Sequence, residues 1–107
     1  VVEKDGNFKV RRAARVDSNH AEIVACFRKL GWSVLDISQL KNCADIIAAR
    51  DGITFVIEIK DGTKPPSARK LTAGEQSFKD RWRGRYALIQ SIGDVLMLNS
   101  QNFESVN

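Results

Sequence analysis

Apolar and polar positions divide the chain into elements before any chemistry is considered. After Asp17-Ser18-Asn19, the residues Ile23, Val24, Phe27 and Leu30 recur at helical spacing, and Gly31 closes the pattern. Trp32 to Ile37 predicts a first strand with Trp32, Val34 and Asp36 on one face. Ala44 to Arg50 and Ile53 to Lys60 predict two more strands joined by Asp51-Gly52. Asp-Gly between apolar runs favours a type I′ hairpin, because both turn residues need positive φ. That turn sets Arg50 opposite Ile53, Ala48 opposite Phe55 and Asp45 opposite Glu58. Residues 61–71 contain Gly62, Pro65 and Pro66 and read as a loop without a regular element.

Thr72-Ala73-Gly74-Glu75 has capping-box spacing and opens a helix from Ala73 to about Arg83. Phe78 and Trp82, four apart, form its expected buried stripe. Tyr86 to Ser91 and Val95 to Leu98 read as two final strands covered on both faces, with Gly93-Asp94 in the turn between them. Val1 to Arg15 shows no sustained period. Phe8 and Val10 fit a short edge strand, and a flexible basic arm is the alternative.

The order is therefore helix, strand, hairpin, helix, strand, strand. It predicts one α/β domain over 1–107, with a central mixed sheet flanked by helices. The helix from Ala73 serves as a crossover, which makes the fourth strand parallel to an earlier one, with a right-handed connection.

Composition narrows the partners. The chain of 107 residues is 43% hydrophobic and 28% charged, with net charge +4 and an isoelectric point near 9.3. No apolar run reaches the roughly 18 residues of a membrane span, and no signal-peptide pattern is seen. The chain opens on Val1, as a trimmed start or a fragment would. Cys26 and Cys43 are expected as reduced thiols, and His20, the only histidine, cannot build a histidine-rich metal site. Basic residues cluster at Lys4, Lys9, Arg11, Arg12 and Arg15, again at Lys64, Arg69 and Lys70, and again from Lys79 to Arg85. Such clusters around acids suit a polyanion held beside a metal, although solubility alone also explains basic patches.

The chemistry centres on the hairpin. Asp45 and Glu58, directly opposed, repel each other, and Lys60 shares their face. A hard divalent cation held by carboxylate oxygens and waters would offset the repulsion. A one-residue slip would separate the acids. The plain alternative leaves all three in solvent at strand ends. Glu22 has two readings: the third helical residue of a capping box with Asn19, or a further acid near the hairpin.

These residues resemble the PD-(D/E)XK nuclease superfamily, and more narrowly the small stand-alone VRR-Nuc domains of phages and prophages. The resemblance rests on Asn19 to Val24, Asp45, Glu58-Ile59-Lys60-Asp61-Gly62, Pro66 to Thr72 and Glu75-Gln76, and covers roughly residues 12–98. It implies a restriction-endonuclease-like αβββαβ core and a metal-dependent nuclease. Asp45 and Glu58 match the acids that bind Mg²⁺ or Mn²⁺, and Ile59 matches the residue lending its carbonyl. Lys60 matches the lysine that positions or activates water, as a neutral base or as a charged stabiliser. Glu22 matches a further acid reaching the metal or its waters, and Gln76 a supporting helix residue. One or two metals would fit. Ala44 stands where the family usually has proline, which shapes backbone rather than binding metal. Relatives include Holliday-junction resolvases and structure-specific nucleases, and the stand-alone forms resemble resolvases in being dimers. The expected activity is a structure-specific DNA endonuclease acting on branched or junction DNA, as a cytoplasmic homodimer in a bacterium or phage-infected cell. Arg69 and Lys70 are the foremost expected phosphate contacts, with Lys64, Arg12 and Arg15 behind them. A catalytically silent DNA-binding module, or a nicking enzyme or exonuclease of the same fold, is the alternative.

Overall fold

A computed structural model describes residues 16–103. The expected basic arm, with Arg12 and Arg15, lies outside the described residues. The first helix, α1 (His20–Lys29), is followed by strands β1 (Ser33–Asp36), β2 (Ile46–Arg50) and β3 (Ile53–Ile59). Helix α2 (Ala73–Arg81), strand β4 (Arg85–Ile89) and helix α3 (Ile92–Ser100) complete the order. The four strands form one sheet in sequence order, β1-β2-β3-β4. The first three pair antiparallel, and β4 runs parallel to β3. The mixed sheet with helices agrees with the α/β expectation, and α2 provides the β3-to-β4 crossover.

The hairpin forms in the expected register, with Arg50 paired to Ile53, Ala48 to Phe55 and Ile46 to Ile57. Asp51 and Gly52 have φ of 53° and 79°, the positive values that a type I′ turn demands. One face of the sheet presents Ile46, Ala48, Phe55, Ile57 and Ile59 to Ile23 and Phe27 of α1 and to Val95 and Leu98 of α3. Burying these side chains is the main stabilising contribution, about 1.5–3 kcal/mol for each large one. Phe27 meets Trp32 edge-on at 5.2 Å between ring centroids. By strand alternation, Val56 and Glu58 occupy the other face. Contacts of Glu75 with Lys60 and of Lys79 with the Tyr86 ring bring α2 over that face.

Several sequence expectations are corrected. Val95 to Leu98 is helix, not strand. Ser91 caps α3 by accepting from the Asp94 amide, and Gln90 N–H donates to Asp94 Oδ2 at 2.8 Å. Val95 and Leu98 then face inward while Leu96 and Met97 are exposed, a helical alternation hidden inside an unbroken apolar run. Helix α2 buries no residue. Phe78 and Trp82 stack on each other at 5.5 Å, but Trp82 stays 41% exposed, so they flank the sheet rather than forming a buried stripe. Residues Pro66–Ala68 form a 3-10 turn, because Pro65 and Pro66 preset φ for a tight bend despite blocking an α-helix. Asn19 makes no side-chain cap. Its Nδ2 instead donates to Lys60 O and Gln90 O, tying the start of α1 to the ends of β3 and β4. Nearby, Gly62 N–H donates to Gln90 O, and a Cβ at Gly62 would come within 2.8 Å of that oxygen.

Candidate active site

The site begins where β2 and β3 separate. Asp45 lies one residue before β2, and its amide donates at 3.0 Å to the carbonyl of Ile57, the residue already paired with Ile46, so the ladder is offset by one residue here, as in a β-bulge. Its Oδ2 accepts from the Ile59 amide at 2.7 Å, so the backbone of β3 fixes the Asp45 side chain toward its neighbour. Glu58 is only 3% exposed. The Asp45 carboxyl lies close enough to act on that of Glu58. Burial first, and Asp45 second, push the Glu58 pKa well above the ordinary carboxylate range. A Glu58 that keeps its proton relieves the repulsion expected from the sequence.

Lys60 continues the Glu58 face and is also buried. Its Nζ lies 4.0 Å from Glu58 Oε2 but 2.8 Å from Glu75 Oε1. Burial works against the lysine charge, yet the Glu75 hydrogen bond and the surrounding carboxylates outweigh it and raise the pKa. The protein's own carboxylates thus favour the charged form of Lys60. Glu75 is also the third residue of the α2 capping box. Its Oε1 accepts from the Thr72 amide at 2.8 Å, and Thr72 Oγ1 accepts from the Glu75 amide at 3.2 Å. Burial penalises the Glu75 charge, but the bonds from Lys60 and Thr72 prevail and lower its pKa.

A third segment closes the site. Asp17 lines the same cavity, about 240 Å³, together with Asp45, Glu58, Lys60, Lys64 and Glu75. Burial raises the Asp17 pKa, against the pull of Lys60 and Lys64. The neighbouring Ser18 hydroxyl donates to Asp61 Oδ2 at 2.8 Å, and the amide and hydroxyl of Thr63 donate to Asp61 Oδ1. Those bonds, Thr63 first, hold Asp61 down to about 2. A smaller cavity, about 90 Å³, shares Asp45 and Glu75 and extends past Ser38, Asn42, Cys43 and Thr72. A larger concavity, about 670 Å³, lies along α1 over His20, Val24 and Arg28. It is open and holds no opposed carboxylates; its Asp36 accepts from or pairs with His20 at 3.0 Å.

Asp45, Glu58 and Lys60 thus line one cavity, although the regular pairing ends at Ile46–Ile57 and Asp45 reaches Glu58 through the offset backbone rather than as its direct cross-strand partner. Ile59 donates its amide to Asp45 and buries its side chain in the core. Glu22 is exposed on the first turn of α1 and does not line either cavity beside Asp45. Gln76 is exposed and donates to Asp80 Oδ1 at 2.8 Å, away from the acids, so the α2 side chain in the site is Glu75. Lys64 lines the cavity and Lys70 is exposed. Arg69 is partly buried, donating to Lys64 O at 2.7 Å and Gln90 Oε1 at 3.0 Å. Glu75 had a signal in its capping-box spacing, but that signal spoke of helix start, not site. Asp17 had no sequence signal beyond being acidic.

Among the described residues, no group of three or more His, Cys, Asp or Glu side chains forms a metal cage. Two carboxylates with spare oxygens still suit Mg²⁺ or Mn²⁺, since Mg²⁺ keeps several waters and commonly takes one or two protein carboxylates. The fit is supported by a buried Glu58 lining one cavity with Asp45: a divalent ion would offset the charge that burial and Asp45 oppose. Comparison with family models, curated proteins and solved structures finds no match for this chain.

Proposed function

We propose that this chain is a metal-dependent nuclease that hydrolyses DNA phosphodiesters, with branched or junction DNA as its substrate and a restriction-endonuclease-like core. One observation carries the reading: a buried glutamate, Glu58, is held against Asp45 with Lys60 alongside, at the wall of an open cavity. Opposed buried acids are costly unless they serve a cation or share a proton.

Asp45 and Glu58 would hold Mg²⁺ or Mn²⁺, with the Ile59 carbonyl as a further candidate donor. The bound ion supplies a Lewis acid for a phosphate oxygen and lowers the pKa of its water. The chain's own residues do the rest. Asp45, oriented by the Ile59 amide, keeps its carboxyl in one rotamer. Glu58 would offer both oxygens to a cation only in its deprotonated form, which its raised pKa opposes until a cation is present. Glu75 favours charged Lys60, which suits Lys60 to stabilise negative charge building on the phosphate rather than to remove a proton from water. Lys64 and Lys70 contact flanking phosphates, which gives affinity without base sequence. None of the described helices presents an obvious base-reading face, so DNA shape is the expected determinant. A homodimer would set two sites across a branch. Exposed Leu96 and Met97 on α3 and Leu35 on the edge strand β1 offer its apolar contact.

The experiment is cleavage of four-way junctions, flaps and linear duplex in Mg²⁺, in EDTA, and by Asp45→Asn. Cutting that needs both Mg²⁺ and Asp45 is the expected result. No metal-dependent cutting on any substrate overturns the reading. Mass in solution, with and without DNA, tests the dimer.

A further inference from the structure

Tyr86 is the chain's single tyrosine. It sits on β4 opposite Val56 of β3, one alternation from Glu58, so it shares the Glu58 face. A diagonal cross-strand neighbour lies within reach of a long aromatic side chain. Lys79 of α2 lies over the ring at 5.5 Å from its centroid, one helical turn beyond Glu75. The ring therefore lies between the sheet and α2, beside the wall of the candidate site.

Its hydroxyl is buried and has no hydrogen-bond partner among the described residues. A buried hydroxyl left unpaired carries the desolvation penalty of that group, on the order of 1–3 kcal/mol. Buried tyrosine hydroxyls usually find a partner. Burial first, then the charges of Glu58, Glu75 and Asp45, raise the Tyr86 pKa, so this phenol stays a donor. All three acids act on the same hydroxyl, and acceptors for a donor are the carboxylate oxygens of that site.

We infer that Tyr86 is a positioning residue of the candidate site, its hydroxyl donating to the Asp45–Glu58 carboxylate pair, directly or through one water, when those oxygens hold a divalent ion. This rests on the proposed metal-dependent reading. The hydroxyl orients the carboxylates and neither touches substrate nor transfers a proton. Side chains that orient metal-binding carboxylates typically change ion affinity 10–100-fold when removed.

The probe is Mn²⁺ or Mg²⁺ alone, with no DNA. Calorimetry on the full chain compares wild type with Tyr86→Phe, and thermal melts of both are run in EDTA. Because the chain holds one tyrosine, a ¹³C label on tyrosine gives one ring-carbon resonance to follow during Mg²⁺ titration. Expected are a loss of about tenfold or more in ion affinity for Tyr86→Phe, unchanged or higher stability in EDTA, and a saturable shift of the tyrosine resonance at the calorimetric midpoint. If wild type binds the ion while Tyr86→Phe binds equally well and the resonance stays still, the inference is overturned and the nuclease reading stands. If wild type binds neither ion, both are overturned. Lower stability in EDTA together with unchanged affinity marks a merely structural tyrosine and also overturns the inference.

Discussion

Glu75 uses one carboxylate oxygen for two tasks: it accepts from the Thr72 amide and from Lys60 Nζ, both at 2.8 Å. At the residue scale this explains which parts of the site were legible. The Asp51-Gly52 turn brought Asp45, Glu58 and Lys60 to one end of the hairpin, but the one-residue offset at Asp45 was not legible in the pattern. Gln76 was expected and Glu75 was not, because helix periodicity gives a direction only when the helix's packing is known, and α2 packs on little. The acids also set a pH dependence. Glu58 has a raised pKa in the fold and an ordinary value of 4.5 when unfolded. Its contribution is fully present below 4.5 and is lost as pH rises toward the folded pKa. Asp17, also raised, adds the same sign. Glu75, Asp36 and Asp61 have lowered values, so their contributions fade only as pH falls through the acid range. Urea midpoints in EDTA should therefore fall from pH 5 to pH 9, and Glu58→Gln should flatten that slope. A midpoint rising with pH in wild type would contradict the buried-acid assignment. Asp45→Asn removes the charge that raises the Glu58 pKa while keeping an oxygen for the Ile59 amide. Its urea midpoints in EDTA should therefore depend less on pH than those of wild type, and it should cut no DNA.

At the scale of elements, α2 is held by its ends more than by its face. It buries no residue, so the Thr72–Glu75 capping box is a large share of what fixes its first turn. Thr72→Ala should cost about 1 kcal/mol, read as a lower melting temperature. Because the same box positions Glu75 against Lys60, the variant should also lose turnover with little change in Mg²⁺ affinity. A drop in Mg²⁺ affinity as large as the drop in rate would argue that α2 shapes the carboxylate pair itself. Helix α3 shows why periodicity misled at the carboxyl end. Four apolar residues in a row satisfy a doubly covered strand, and only Ser91 and Asp94, three apart, announced a helix start. The β3–β4 junction depends on close approach. Gly62→Ala would drive a Cβ against Gln90 O, so it should destabilise by roughly 1–3 kcal/mol through overpacking, measured by urea unfolding. Cleavage at temperatures well below the melt should fall as well, since Asn19 and Gly62 both bond Gln90 O beside the site.

At the scale of the whole molecule, basic side chains lie around an acidic centre, and under the proposed reading the two would act on one polyanion. Lys64 and Arg69 both belong to the loop after β3, and in sequence Arg69 ranked ahead of Lys64 as an expected phosphate contact. The structure separates them. Lys64 is exposed at the cavity with its ammonium available, whereas Arg69 spends its guanidinium on Lys64 O and Gln90 Oε1. Composition could not reveal this, because a guanidinium that organises a loop and one that meets DNA look alike in sequence. The two residues should therefore fail differently. Each phosphate contact contributes about 0.9 to the slope of log affinity against log salt. Lys64→Ala should weaken DNA binding uniformly across sequences, lower that slope by about 0.9 and leave the melting temperature unchanged. Arg69→Ala removes no phosphate contact of its own but frees the loop that presents Lys64 and Lys70. It should lower the melting temperature and weaken binding, while the remaining slope reflects several contacts weakened together. Fluorescence anisotropy on a four-way junction, in EDTA to silence cutting and over a series of salt concentrations, measures both. Equal slope changes with no loss of stability in either variant would mean that Arg69 leaves its intramolecular partners for phosphate when DNA arrives.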